Sequence, residues 1–304
     1  MNPVQPCAPH TVPSLGAAVC SQAPSEVFAP SVEPTASLGL SSPTLKSTPL
    51  AATGLLLTAC GGGSGGSENG TNSASAPSDA EAVRFLNQAG FSASAESIAA
   101  VKASGFANWL DSQLDLPVQA ITRYDWMVAN GYAVEANRSN FTGTDNAIWL
   151  KLMSSPDPVR QRMTLALSEI FVVSMQGLPI EWRGLCMAHY ADLLEKNAFG
   201  TYRQLLQEVT LSVGMGSYLN MLGNRKEDTF TGRVPDENYA REVMQLFSIG
   251  LVQLNSDGTP RLNNGQTIDS YSPQDISQLA SVFTGWERDR VDAMDYAHVT
   301  RPMK

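Results

Sequence analysis

Residues 235–250 read PDENYAREVMQLFSIG. On a wheel of 100° per residue with Asn238 at zero, Leu246, Tyr239, Gly250, Val243, Phe247, Ala240, Leu251 and Met244 fall between ~80° and ~240°. Glu237, Ser248, Arg241, Gln245, Asn238 and Glu242 take the other side, joined only by Ile249. Two such arcs predict a helix over 237–251 with its apolar side on a core. Asp236, after Pro235, is placed as an N-cap to accept backbone N–H groups two or three residues on. Glu237 suits the positive end of the helix dipole and is an i,i+4 partner for Arg241. Asn238, Glu242 and Gln245 are left without a structural task.

The same helical spacing recurs upstream. DAEAVRFLNQAGF places Ala82, Val83, Leu86 and Ala89 on one face and stops at Gly90. The run from Ser94 to Pro117 carries Ile98, Val101, Phe106, Trp109 and Leu110. In 156–173 a proline sits at the first turn, and Met163, Ala166, Leu167, Ile170 and Phe171 would line an apolar face. LCMAHYADLLEKNAFG reads as an amphipathic helix closed by Gly200, and TYRQLLQEVTLSV as another. Between 251 and 272 the period shortens around Asp257-Gly258 and Asn264-Gly265, both tight-turn pairs, which predicts a small β-ribbon. Ser272-Pro273-Gln274-Asp275 then opens a last helix. The expected fold is mainly α: a multi-helix single domain over 79–304 with an inserted β-ribbon near 251–272.

Before that domain the composition changes. Leu50 to Leu57 form a short apolar stretch, too short to span a bilayer as a helix. It ends in Leu57-Thr58-Ala59-Cys60, which resembles the bacterial lipoprotein box, so residues 1–59 read as a leader and Cys60 as the lipidated residue. Residues 60–78, rich in Gly and Ser, read as a flexible tether spanning ~25 Å. The expected location is the cell envelope, on the outer membrane or the periplasmic face, with a lipid anchor at Cys60 as the link to the membrane.

The chain has a formal net charge of −9 with 16% charged residues, and no basic surface that would suit nucleic acid. Its four cysteines and three histidines include no metal-ligand spacing, so neither a metal nor a cofactor is implied. Cys186 reads as a small buried hydrophobe and His189 as a hydrogen-bonded core or edge histidine.

PDENYAREVMQLFSIG, preceded by YLNMLGNRK at 218–226 and followed by LVQLNSDGTP and VFTGW at 282–286, resembles the bacterial "domain of unknown function 1800" family. AVRFLNQAGF, FANWLDSQ, RQRMTLALSEIFVVS and HYADLLEKNAFGTYRQLLQEVT are similar to its earlier segments, in the same order. The resemblance implies an exported, often lipid-anchored, mainly helical bacterial protein. Family members usually continue beyond the TGW motif, so the chain resembles a C-terminally truncated member. It also implies a secreted partner, because genes of the family often neighbour those of a second secreted family, "domain of unknown function 1501". Carried onto this sequence, the family pattern marks Asn224, Lys226, Glu237, Asn238, Arg241 and Glu242.

Two functions fit these residues. One is a binding or assembly protein for a secreted partner or a polysaccharide, with the polar stripe as a salt-bridge network between helices. The other is an extracytoplasmic hydrolase-like enzyme in which Glu242 serves as acid or base and Arg241 and Asn238 hold an oxygen. Asn224, Lys226, Glu237 and Gln245 would then be binding residues. Glu237 and Glu242 lie ~140° apart on the helix and do not form a carboxylate pair with each other.

Overall fold

The computed structural model describes residues 76–292 and 294–304. The leader, the Leu57–Cys60 box and most of the tether lie outside the described residues. Within them the chain is mainly α, with eleven α-helices and one two-stranded ribbon.

Three helices come first: α1 (Asp79–Ala89), α2 (Ala95–Ser104) and α3 (Phe106–Leu114). They enclose a small core of Ala82, Leu86, Val101 and Trp109. Ser78 and Glu81 form a capping box at the start of α1, each satisfying a backbone N–H of the other. The run 94–117 is two helices, because Gly105 adopts φ 78° and breaks the helix.

The main core is built on α7 (Arg183–Lys196), with α4 (Arg123–Ala129), α5 (Thr144–Ser154), α6 (Pro158–Ile170), α8 (Tyr202–Leu211) and α9 (Val213–Tyr218) around it. The sequence reading of α7 as amphipathic is corrected. Leu185, Cys186, Met187 and Ala188 are buried in succession, as on a helix covered all round. Burial pushes the Cys186 thiol up to about 12, so it is an inert core group.

The α6 face is corrected as well. The side chains it buries are Arg160, Gln161 and Thr164, while Met163 and Ile170 are exposed. Of the five predicted core residues only Phe171 is fully enclosed. The reason is an ion network. Arg123, on α4, is buried, with Nη1 on Asp192 at 3.1 Å and also on Glu195, both from α7. Its Nη2 donates to Gln161 Oε1 at 2.7 Å, and Gln161 donates to Asp157 at 3.0 Å. Lys151 of α5 completes the group, 2.7 Å from Glu195. Four helices therefore meet through charged and amide groups, and α6 has to turn its polar side inward.

The segment after α9 leads to α10 (Asn238–Gln245), the ribbon β1 (Leu262–Asn263) with β2 (Gln266–Thr267), and α11 (Pro273–Val282). Leu262 pairs with Thr267 and Asn263 with Gln266 across the Asn264-Gly265 turn. Bridges Val252–Asp269 and Leu254–Pro260 extend the ribbon over the region expected. Helix α10 stops at Gln245, six residues short of the expected end. Phe247 N and Leu246 N both bond Glu242 O, and Gly250, at φ 74°, donates to Met244 O. Leu246 and Leu251 consequently leave the predicted core arc and are exposed.

The two carboxylates beside Arg123 differ. Burial pushes Glu195 up, but Lys151 and Arg123 outweigh it and hold its carboxyl below the ordinary 4.5. Burial wins at Asp192, which lacks the lysine, and raises it above 3.8. Since its folded value lies below its unfolded one, Glu195 contributes stability that is present above about pH 4.5 and is lost as pH falls through the folded value. We expect Lys151→Met to cost roughly 1.5–3 kcal/mol, the worth of a hydrogen bond to a charged group, near pH 7. The cost should shrink below about pH 4. Urea midpoints at the two pH values measure it, and equal penalties would show that Lys151 does not hold Glu195.

Candidate functional site

Asn224 is the junction of the motifs on which the family resemblance rests. Its side chain spans the backbone of Asp236, donating from Nδ2 to Asp236 O at 3.1 Å and accepting Asp236 N at Oδ1 at 2.9 Å. Its own carbonyl accepts Gly285 N at 2.8 Å, and Gly223 N donates to Trp286 O at 2.9 Å. The segments around 218–226, 235–250 and 282–286 are thereby bonded to one another. Asn224 is buried and its amide is engaged in this clamp.

Asp236 caps α10 as its chemistry suggests: Oδ1 accepts Asn238 N at 2.8 Å. The helix is counted from Asn238, one residue later than an Asp236 cap implies, so Glu237 occupies the N-cap position without a side-chain cap bond. Glu237 binds Arg241 at 3.0 Å, the i,i+4 pair expected, and its other oxygen accepts the Ser277 hydroxyl of α11 at 2.5 Å. Tyr239 and Ala240 are buried, Ala240 against Ile276 and Ala280 of α11.

The remaining polar positions divide. Arg241 is exposed and its charge is met by Glu237. Among the described residues the side chains of Asn238 and Gln245, both half-buried, make no hydrogen bond. Glu242 is half-buried, and its Oε2 is enclosed without a hydrogen-bond partner. Lys226 is exposed on the hairpin that follows Asn224. The structure therefore brings Asn224, Glu237 and Arg241 into structural contacts, and among the described residues it leaves the side chains of Asn238, Glu242, Gln245 and Lys226 without a hydrogen bond.

Beside the helix start lies an open polar groove of about 480 Å³, lined by Asn220, Asn224, Arg225, Arg233, Val234 and Asp236 among others. None of Asn238, Arg241, Glu242 or Gln245 lines it. Arg225 and Arg233 are its cations, and neither was singled out by the sequence reading. Arg233 is fixed by the hairpin: it forms a backbone bridge with Asp228, and its Nε donates to Lys226 O at 3.2 Å. Asp228 accepts Phe230 N and Thr231 N and is held below the usual carboxylate range chiefly by the Phe230 bond. The groove offers hydrogen bonds and two guanidinium groups, and its one carboxylate, Asp236, is engaged by Asn238 N and the Asn220 amide. Among the described residues no group of three or more His, Cys, Asp or Glu side chains is arranged to hold a metal ion.

Comparison with known proteins places these features in a family. No curated protein and no solved structure matched the chain. The model of one family, described as "Protein of unknown function (DUF1800)", matches residues 84–304, from α1 to the last residue and including every element that meets at Asn224. The chain belongs to that family.

Proposed function

We propose that the protein is a cell-envelope lipoprotein, anchored through Cys60, that acts without catalysis as an assembly protein for a secreted protein partner. One observation carries this reading. The helices α5 and α6 expose the apolar residues that would ordinarily form core. Trp149 is 61% and Met153 78% exposed on α5, and Met163, Leu165, Ile170 and Val172 are exposed on or just after α6. Beside them, between α5, α6 and α7, lies a groove of about 360 Å³ with Ile148, Leu152, Leu165 and Val172 in its walls together with Arg123 and Glu169. Exposed apolar side chains in this number on two neighbouring helices fit a contact surface. Its aliphatic character favours a protein over a polysaccharide, since Trp149 is the only aromatic ring among the exposed side chains named. The polar stripe of α10 supports the same reading, because its ion pair serves the helix and its contact with Ser277.

The partner to test is a member of the second secreted family that the resemblance implies. The mature chain should bind it, and Met153→Lys should weaken binding at least about tenfold while leaving the unfolding midpoint unchanged. Absence of binding by the unaltered chain would reject that partner. The anchor is tested separately by labelling cells with radioactive palmitate. Cys60 should carry the label, and Cys60→Ala should lose both the label and membrane association; labelling that persists would reject Cys60 as the lipidated residue.

A second reading, a hydrolase-like enzyme, is favoured by one feature, the enclosed and unpartnered Oε2 of Glu242. If Glu242 transfers protons, Glu242→Gln fails to restore the phenotype of a gene deletion although it folds normally. Full restoration by this variant would sink the catalytic role.

A further inference from the structure

A cleft of about 420 Å³ lies between α7, α8 and the C-terminal segment, apart from both the polar groove and the apolar face of α5–α6. Its hydrocarbon walls come from Val118, Leu193, Leu211, Val299 and Pro302. The charged groups around it are all matched. Lys196 sits on Glu208 at 2.9 Å, and Asp192 on Arg123. Arg301 pairs with Asp295 and donates to Asp289 O at 2.9 Å.

Most of the hydroxyls are engaged too. Thr122 donates to Asp125, Ser212 to Val209 O and Thr300 to Ala297 O. Two polar side chains in the lining make no hydrogen bond among the described residues: Gln207, exposed at the rim, and His189, half-buried in the wall. The expectation of a hydrogen-bonded histidine is therefore corrected. The Tyr124 ring meets it edge-on, with ring centroids 6.2 Å apart. Burial, with Lys196 second, pushes the imidazole down to about 4, so the ring that faces the cleft is neutral and keeps one donor and one acceptor nitrogen.

We propose that this cleft binds an uncharged, largely hydrocarbon small molecule through a hydrogen bond to the His189 imidazole. A charged ligand would find no free counter-charge in the lining, and removing its charge from water would cost several kcal/mol without compensation. An uncharged molecule with one donor or acceptor satisfies the ring and covers the apolar wall. Pockets of this size with few polar groups are typical of small-molecule sites.

N-phenyl-1-naphthylamine is a suitable probe, being uncharged, mostly hydrocarbon and equipped with one N–H. Its fluorescence should rise on titration into the mature chain and saturate at one molecule per chain. His189→Leu should weaken binding about tenfold, the equivalent of one hydrogen bond. Leu211→Trp, which fills the cleft, should abolish it. Val118→Trp, placed at the exposed mouth where folding is not at stake, should weaken it as well. Met153→Lys, on the α5 face, should have no effect. The proposal is overturned if the unaltered chain shows no saturable binding. It is equally overturned if the folded Val118→Trp and His189→Leu variants bind as the unaltered chain does, or if Met153→Lys alone removes binding. None of these outcomes bears on the secreted partner.

Discussion

Arg123 carries a full charge into the interior, where it is 1% exposed, and the bundle is arranged around answering it. A buried guanidinium is tolerable only when opposite charge and hydrogen-bond acceptors surround it. Here α7 supplies Asp192 and Glu195, α6 supplies Gln161, and α5 contributes Lys151, which balances the second carboxylate. The backbone takes part as well, since the N–H groups of Arg123 and Tyr124 both donate to Asp192. This fixes the start of α4 against the middle of α7. The network thus sets position along α7 and rotation of α6 together, which nonspecific apolar contact does not do.

A second junction governs the C-terminal half, and it is made of backbone. Asn224 mimics a strand partner, offering donor and acceptor to the single residue Asp236, while its own carbonyl holds Gly285. The stretches that identify the family are therefore the stretches that close this junction. Their recognisability has a structural source and does not by itself point to chemistry. What stands outside the junction is small: Glu242 with one enclosed oxygen, the half-buried amides of Asn238 and Gln245, and the hairpin cations.

Much of the fold was legible because local chemistry decided it. Ser272 with Asp275 is a capping box in sequence and in space. Asn264-Gly265 sits at φ 50° and 80°, the left-handed turn that such a pair predicts. Periodicity failed where tertiary demands overrode it. The helix wheel assigned Leu246 and Leu251 to the core, but the helix had already ended. It assigned Met163 and Ile170 to the core because polar side chains normally face water, and Arg160, Gln161 and Thr164 do the reverse. Nothing local distinguishes Arg123 or Lys151 from surface cations, since the partners lie 38 to 72 residues away for Arg123 and 44 for Lys151. For the site, the Glu237–Arg241 pair was readable from spacing alone. The unmatched imidazole of His189 was not, because its surroundings come from four separated segments.

The exposed apolar face of α6 follows from the same constraint, and the magnitudes show why. Rotating the helix to bury Met163 and Ile170, which share one side and are already partly covered, would gain roughly 1 kcal/mol apiece, taking about half of the 1.5–3 kcal/mol for full burial. The rotation would withdraw Gln161 from Arg123. Losing a hydrogen bond to a charged group costs about 1.5–3 kcal/mol, and each stranded buried polar group adds about 1–3 kcal/mol. The observed orientation therefore wins, at the expense of leaving hydrocarbon in water. A partner laid over Met163 and Ile170 would cover that hydrocarbon on the side of α6 away from Gln161 and Arg123, so association and internal stability would draw on opposite sides of the same helix.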